Sequence, residues 1–444
     1  MPNDSTPVVS IIVPARNEEA SLAACLESLI AQTAIDFEII VVDDDSTDRT
    51  AEIARLFAGR KAAPGDISVR DDTGASATTR EGTASSRAVN HEDAFNGTAE
   101  SRALPTLVTV RGDHLAGSTR NAKPSASYVA VDVSVRPTVN LISAPPLPEN
   151  WTGKNNAMAA GAKIGKGKWL LFTDADTVHK PGSLARAVAE AEEDGADLLS
   201  YSPEQEVRGF WEKAVMPVIF AELAATYPPQ AVNDPASPIA AANGQYLMIS
   251  REAYEAVGGH ASISFNLLED VAMARLIKSS GRKVFFRYGG DAVRTRMYRN
   301  FAQMKEGWTK NLALLFQHPV ALALLRFAEF VLILANAIIA VWAGLSGRSN
   351  LALQTTLLTI ILAGWFWLRI RKAHFPAALN LLAVLGLPMF SELLLRSKRS
   401  HERKAVGWKG REYGSWSTLP VASGSSSGSS MECVKNLPVQ ERKP

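Results

Sequence analysis

The stretch Val8-Val9-Ser10-Ile11-Ile12-Val13 is apolar and mostly β-branched, a pattern that predicts a buried strand ending at Pro14. Behind Glu18 and Glu19 the period changes. Leu22, Cys25, Leu26, Leu29 and Ile30 fall at helical spacing, and the two acids favour a helix N-terminus. A strand over residues 37–42 and a helix over 48–57 repeat the unit, and a strand over 168–173 with a helix over 182–194 extends it. Strand and helix in alternation predict an α/β domain built on a parallel sheet.

Between the second and third units the pattern lapses. Residues 61–104 hold only five large apolar side chains, Ile67, Val69, Val89, Phe95 and Leu104, too few to offset the entropy of ordering the segment. Residues of about 60–136 therefore read as a low-complexity insertion within a domain over 1–315. Three apolar runs follow, 319–343, 351–368 and 376–395, each near the ~20 residues that cross a bilayer. The first carries Arg326 and Glu329, spaced to pair, and the third carries Asn380, Pro388 and Glu392. Arg369, Arg371 and Lys372 mark a cytoplasmic loop, so the first two runs suit a helical hairpin. A third full crossing would put the basic residues 396–404 outside, so 316–396 reads as a membrane region of two or three helical segments. Residues 397–444 read as a basic, then Ser/Gly-rich, tail. The segment from Phe210 to Phe220, rich in aromatic and aliphatic residues, fits either a membrane-surface helix or ordinary core.

Composition narrows the class. Lys and Arg total 47 against 45 acids, a formal charge of +2 without the clustered basic surface of a nucleic-acid binder. Two cysteines, Cys25 and Cys433, support neither a disulfide framework nor a metal cluster. The N-terminus lacks the charged and apolar regions of a signal peptide, so the catalytic part is expected in the cytoplasm, on a plasma or inner membrane.

The chemistry sits at strand ends. Trp169-Leu-Leu-Phe-Thr-Asp174-Ala-Asp176 places two carboxylates directly after an apolar strand, and Phe37-Glu-Ile-Ile-Val-Val-Asp43-Asp44-Asp45 places three after another. In open α/β sheets ligands bind at the carboxyl ends of strands. Mg²⁺ is commonly held by one or two carboxylates plus substrate phosphates, so Asp174 and Asp176 predict a divalent metal, Mn or Mg, carrying a diphosphate. Asp43 or Asp44 can accept a hydrogen bond from a pyrimidine ring NH, while Asp45 to Asp48 suit a helix cap. Lys154, after Gly153 at a helix start, suits a phosphate.

Val13-Pro14-Ala15-Arg16-Asn17-Glu18, Val42-Asp43-Asp44-Asp45-Ser46-Thr47-Asp48, Thr173-Asp174-Ala175-Asp176 and Leu268-Glu269-Asp270 together resemble the ordered motifs of the family 2 inverting glycosyltransferases. Asp45 departs from the glycine common there. Pro148-Glu-Asn-Trp151-Thr-Gly153-Lys154-Asn155, Ala242-Asn243-Gly244-Gln245, Gly258-Gly259-His260, Gly307-Trp308-Thr-Lys310-Asn311 and Trp408-Lys409-Gly410-Arg411-Glu-Tyr413 are similar to the membrane-bound members that glycosylate lipids, the hopanoid-associated and carotenoid-type transferases. The resemblance implies a GT-A nucleotide-sugar fold, a mixed sheet flanked by helices, followed by the transmembrane helices. It implies a nucleotide-sugar site at Pro14, Arg16, Asn17, Glu18, Asp43, Asp44, Lys154, Asp174, Gly244 and Gln245, with acceptor contacts from Glu269 and Trp308. Asp270 is the expected general base. The donor is expected to be a UDP-sugar and the acceptor a lipid. Gln303-Met-Lys-Glu-Gly307-Trp308 departs in spacing and in its glycine from the Gln-x-x-Arg-Trp element of polymerising relatives. A polysaccharide synthase and a silent nucleotide-sugar-binding membrane protein remain the alternatives.

Overall fold

In chain order the computed structural model runs β1 (Val9–Ala15), α1 (Leu22–Ile30), β2 (Phe37–Asp43), α2 (Thr50–Ala58), β3 (Val139–Ser143), α3 (Gly153–Ile164), β4 (Trp169–Phe172), β5 (Thr177–His179) and α4 (Ser183–Asp194). It continues through β6 (Leu198–Ser202), β7 (Glu204–Gln205), α5 (Phe210–Thr226), α6 (Pro229–Asn233), β8 (Leu247–Ser250), α7 (Arg251–Ala256), α8 (Glu269–Ser279), β9 (Val284–Tyr288), β10 (Val293–Thr295) and α9 (Phe301–Leu315). The long helices α10 (Pro319–Leu345), α11 (Ser349–Ile370) and α12 (Ala377–Glu402) follow, then a hairpin of β11 (Val406–Trp408) and β12 (Arg411–Tyr413). Residues 6–58 and 137–413 are described. The insertion over 60–136, Cys433 and the Ser/Gly-rich run lie outside them.

The main sheet has the order β3-β2-β1-β4-β8-β6-β9. It is mixed, because β8 runs antiparallel to both β4 and β6 while the other pairs are parallel. This is the mixed sheet that the GT-A resemblance implied, where strand and helix alternation by itself pointed to a parallel one. Strand direction is set by the connections rather than by periodicity, and Leu247-Met-Ile is buried from both sides whichever way it runs. Val9, Ile11, Val13, Ile39 and Val41 pack one sheet face against α1, α2 and α4, while Ile12, Ile40 and Val42 pack the other against α3 and α8.

The first strand runs one residue past Pro14. Thr173 N donates to Ile12 O and Asp44 N to Ala15 O, so Pro14 turns its missing donor toward β4 just beyond that strand's last paired residue, Phe172. Proline is tolerated in a strand only where no ladder bond is lost.

Helices α10, α11 and α12 are long and apolar enough to cross a membrane. They are not equivalent. Only 6% and 11% of the apolar windows of α10 and α11 are buried, against 44% for α12. The last helix packs on α5 and α9 as well as on α10, and at Gly386 the helix backbone lies so close to Ala214 O that an added Cβ would overlap it. The middle of α5, from Ala214 to Ile219, is therefore core, with Phe210 and Trp211 left exposed. The paired Arg326 and Glu329 expected in the first run are present at 3.1 Å, and they belong to a larger cluster. Glu222 of α5 meets Arg326 at 2.8 Å and Arg369 at 3.2 Å, and Arg369 meets Glu329 at 2.8 Å. These side chains are only 6–14% exposed, so the cluster ties the α10–α11 hairpin to the globular part at the end that bears Arg369. Glu222→Ala strands two arginines without one of their anions and is expected to cost about 3–5 kcal/mol, read as a lower unfolding temperature in detergent.

Part of the segment assigned to a C-terminal tail has regular structure. The basic stretch 397–402 completes α12, and the β11–β12 hairpin packs back onto α9.

Candidate active site

The carboxyl ends of β1, β2 and β4 open together on a cavity of about 1110 Å³. Its lining includes Pro14, Arg16, Asn17, Glu18, Asp44, Lys154, Asp174, Asp176, Gly244, Gln245, Glu269, Asp270 and Trp308. Of the residues expected at the site, Asp43 alone is outside the lining. Adjacent residues of a strand face opposite ways, and Asp43 turns from the cavity with Oδ1 buried and unpartnered. Asp44 is the acid that faces it.

Residues of the first motif shape the rim. Arg16 Nη1 donates to the carbonyls of Asp44 and Asp45, and Asn17 Oδ1 accepts from Thr47 N at 2.9 Å. Asp45 takes φ +58°, which accounts for the glycine common at that position; aspartate tolerates the left-handed region better than most residues. Asp48 accepts from Thr50 N at 2.9 Å and is the helix cap expected there.

Lys154 lies between two acids, 2.7 Å from Asp174 Oδ1 and 2.6 Å from Glu269 Oε1. Burial opposes its charge, but the two carboxylates outweigh burial and hold its pKa well above the lysine range. Burial raises the Asp174 carboxyl, against the pull of Lys154. Among the described residues no cation pairs with Asp176 at contact distance. Burial, Asp174 and Glu18 push its pKa up to about 7, and its Oδ1 is buried with no hydrogen-bond partner. Among the described residues no three His, Cys, Asp or Glu side chains are grouped to hold an ion alone. Asp174 and Asp176 nevertheless fit a divalent cation whose remaining ligands come from a phosphate, the orphaned Asp176 oxygen being the donor it needs.

Asp270 heads α8. Its Oδ2 accepts from Gly244 N at 2.9 Å and its Oδ1 from Val271 N at 2.8 Å, which fixes the carboxylate at the cavity wall. Burial and neighbouring Glu269 raise its pKa to about 6. A Cβ on Gly244 would fit tightly, 3.1 Å from Glu269 Oε1 and 3.2 Å from Lys154 Nζ. Gln245 is buried beneath, with Nε2 on Thr295 Oγ1 at 3.2 Å.

Trp308 lines the cavity but is only 2% exposed, with Nε1 3.3 Å from Met216 Sδ and ring edges on Phe220 and Tyr298. The preceding glycine has a packing cause, since a Cβ on Gly307 would overlap the Tyr298 ring.

Several site residues carried no role in the sequence reading. Asn155 Nδ2 donates to the carbonyls of Ile263, Ser264 and Asn266 at 3.0, 2.9 and 3.1 Å, holding the loop that leads to Asp270. Lys310, its pKa lowered by burial, lines the cavity near Glu269 and lies 4.9 Å from the Trp408 ring centre. Arg411 grips Asp44, with Nη2 3.0 Å from Oδ1, and Lys409 Nζ contacts Glu18 and donates to Arg16 O at 3.0 Å. All four stand in motifs noted from the sequence, but Lys409 lies 393 residues from Arg16 and no local pattern brings them together.

The sequence pattern of the family described as "Glycosyl transferase family 2" matches residues 10–76 and 146–258. A 4,4'-diaponeurosporenoate glycosyltransferase of Staphylococcus aureus (strain USA300) is 23% identical over 419 residues, covering 91% of this chain and 88% of that protein. Among solved structures, a mannosyltransferase from Pyrobaculum calidifontis in complex with GDP-Man and Mn²⁺ aligns with a TM-score of 0.43 at 16% identity, covering 89% of this chain and 87% of that one. The S. aureus TarS fragment 1–349 with UDP-GlcNAc aligns with a TM-score of 0.33 at 12% identity, covering 89% and 91%. With the ordered motifs gathered at the carboxyl edge of a mixed sheet, residues 10–76 and 146–258 make a domain of the family 2 glycosyltransferase pattern, and the chain is a glycosyltransferase with the mixed, helix-flanked sheet of the GT-A type.

Proposed function

We propose that this glycosyltransferase inverts the anomeric centre as it moves a sugar from a UDP-sugar to a lipid hydroxyl at the cytoplasmic face of a membrane. The observation that carries the reading is that one cavity joins two chemistries. Asp44, Asp174, Asp176 and Asp270 line its polar part, and Phe220, Leu223, Tyr227, Leu315 and Phe375 line an apolar part beside α5, α9 and the start of α12. A lipid whose tail lies along the apolar wall brings its head to the acids. The carotenoid-type relative supports such an acceptor.

In this reading Asp44 accepts the ring NH of the base, and Arg16 and Asn17 hold the loop that carries it. Asp174 and Asp176 would hold Mn²⁺ or Mg²⁺, which when bound supplies positive charge to the diphosphate leaving group. Asp270 takes the proton from the acceptor hydroxyl as its oxygen bonds to the anomeric carbon and the bond from that carbon to the diphosphate oxygen breaks. Glu269 and Lys154 fix each other beside it, and the Asn155 amide fixes the loop before α8. Transfer of label from a panel of UDP-sugars and GDP-mannose into extractable lipid tests the whole. One labelled lipid band bearing a single added sugar supports the reading; longer products would favour a polysaccharide synthase, and no transfer from any donor a silent binding protein.

Membrane placement follows from parity. The chain enters the apolar helices from α9 and leaves α12 into a hairpin that touches Arg16 and Asp44, so both ends lie on the catalytic side. An even number of crossings is required. We assign the two crossings to α10 and α11 and place α12 as an adaptor between them and the globular part, which resolves the conflict that a third crossing posed for the basic residues near 400. In a Cys433→Ser background, a membrane-impermeant thiol reagent is expected to label Ser346→Cys from outside intact cells and Lys404→Cys only after disruption. Labelling of both from one side would exclude the two-crossing arrangement.

A further inference from the structure

We propose that the hairpin following α12 completes the donor site, with Lys409 supplying a cation to the donor's diphosphate and Arg411 clamping Asp44 for the base. This rests on the donor-site reading above and extends it to the far end of the chain.

The first observation is the turn. Trp408 pairs with Arg411, so Lys409-Gly410 is a two-residue hairpin loop, and both residues have positive φ, 46° and 75°. Asn-Gly is the preferred pair for such a turn. A lysine at its first position is strained, and strain of this kind collects at functional sites. The turn's own chemistry gives no reason for lysine. Its ammonium does, because the tip is held between α9 and the end of β1: Lys409 N donates to Glu306 Oε1 of α9 at 3.3 Å, and Lys409 Nζ donates to Arg16 O at 3.0 Å and contacts Glu18 in the cavity wall.

The second observation is where the ammonium sits. Lys154 is held by Asp174 and Glu269, and Arg16 donates to two carbonyls. Lys409, 31% exposed and lining the same cavity, brings its ammonium to Glu18 and the Arg16 carbonyl at the rim, where an incoming phosphate would compete with Glu18 for it. The third is Gly153. A Cβ there would overlap both the Arg411 guanidinium and Asp44 Oδ2, so the glycine before Lys154 makes room for the Arg411–Asp44 contact. Two motifs far apart in sequence thus fit one another. Each Asp44 oxygen held by Arg411 keeps a further lone pair for a ring NH.

The test titrates UDP, UMP and GDP, with Mn²⁺, into the purified full chain in detergent. Lys409→Asn is the decisive variant because it removes the ammonium while giving the turn its preferred residue. The expected result is an unfolding temperature at or above that of the unmodified protein, with UDP binding weakened about tenfold or more and UMP binding changed much less. Arg411→Gln is expected to weaken UDP and UMP alike. UDP binding that is unchanged in both variants overturns the proposal. Binding that tightens in either also overturns it, since the hairpin would then obstruct the site. If the unmodified protein binds neither UDP nor GDP, the donor-site reading itself fails and the hairpin's role falls with it.

Discussion

Asp270→Asn is expected to lower transfer to a lipid hydroxyl by about 10²–10⁴-fold while leaving UDP binding unchanged. The carboxylate has the requirements of a base: it faces the cavity, two backbone N–H groups fix its orientation, and its pKa of about 6 keeps it ionised at neutral pH yet basic enough to accept a proton. The same value sets a pH profile. Turnover is expected to rise with pH through about 6, as the carboxyl ionises, and to level above it. Asparagine keeps one acceptor oxygen for the two N–H donors, so the fold is expected to persist, checked by thermal unfolding. The acceptor in the name of the Staphylococcus relative is a carboxylate, and that makes the experiment sharper. A carboxylate oxygen arrives without a proton to remove. If Asp270→Asn turns over like the unmodified protein and the step near pH 6 is missing, the acceptor is a carboxylic acid and Asp270 is not a base.

Strands and amphipathic helices were legible because burial writes itself into short-range periodicity. The α1 stripe of Leu22, Cys25, Leu26 and Leu29 is buried as its spacing requires, and β1 and β2 lie within a residue or two of their expected bounds. The acids at strand ends were legible because a carboxylate after an apolar run has no packing purpose. Sheet direction at β8 was not, since a run buried on both faces carries no record of its orientation. The largest omission was the hairpin. Lys409 and Arg411 stood in a motif assigned to a tail, and their meeting with Glu18 and Asp44 depends on where three long helices return the chain, which is a tertiary fact.

Asp176→Asn is expected to lower kcat/KM by about a hundredfold or more at fixed Mn²⁺ and to shift the metal titration to higher concentration. The two acids of the motif differ in what they are free to do. Asp174 already has a cation, Lys154, at 2.7 Å, whereas Asp176 keeps a buried, unpartnered oxygen and a pKa pushed up to about 7 by burial and two neighbouring acids. A buried carboxylate in that state lacks the positive charge that would justify its position, and a divalent cation shared with a diphosphate supplies it. Asparagine fills the same space with no charge, so the variant separates ligation from packing. Asp174→Asn is the informative partner: it weakens the metal site but also releases Lys154 toward the phosphates, so its loss is expected to be smaller than that of Asp176→Asn. A metal titration for Asp176→Asn that overlays the unmodified protein would remove Asp176 as a ligand and leave the diphosphate's charge to the cations of the cavity alone.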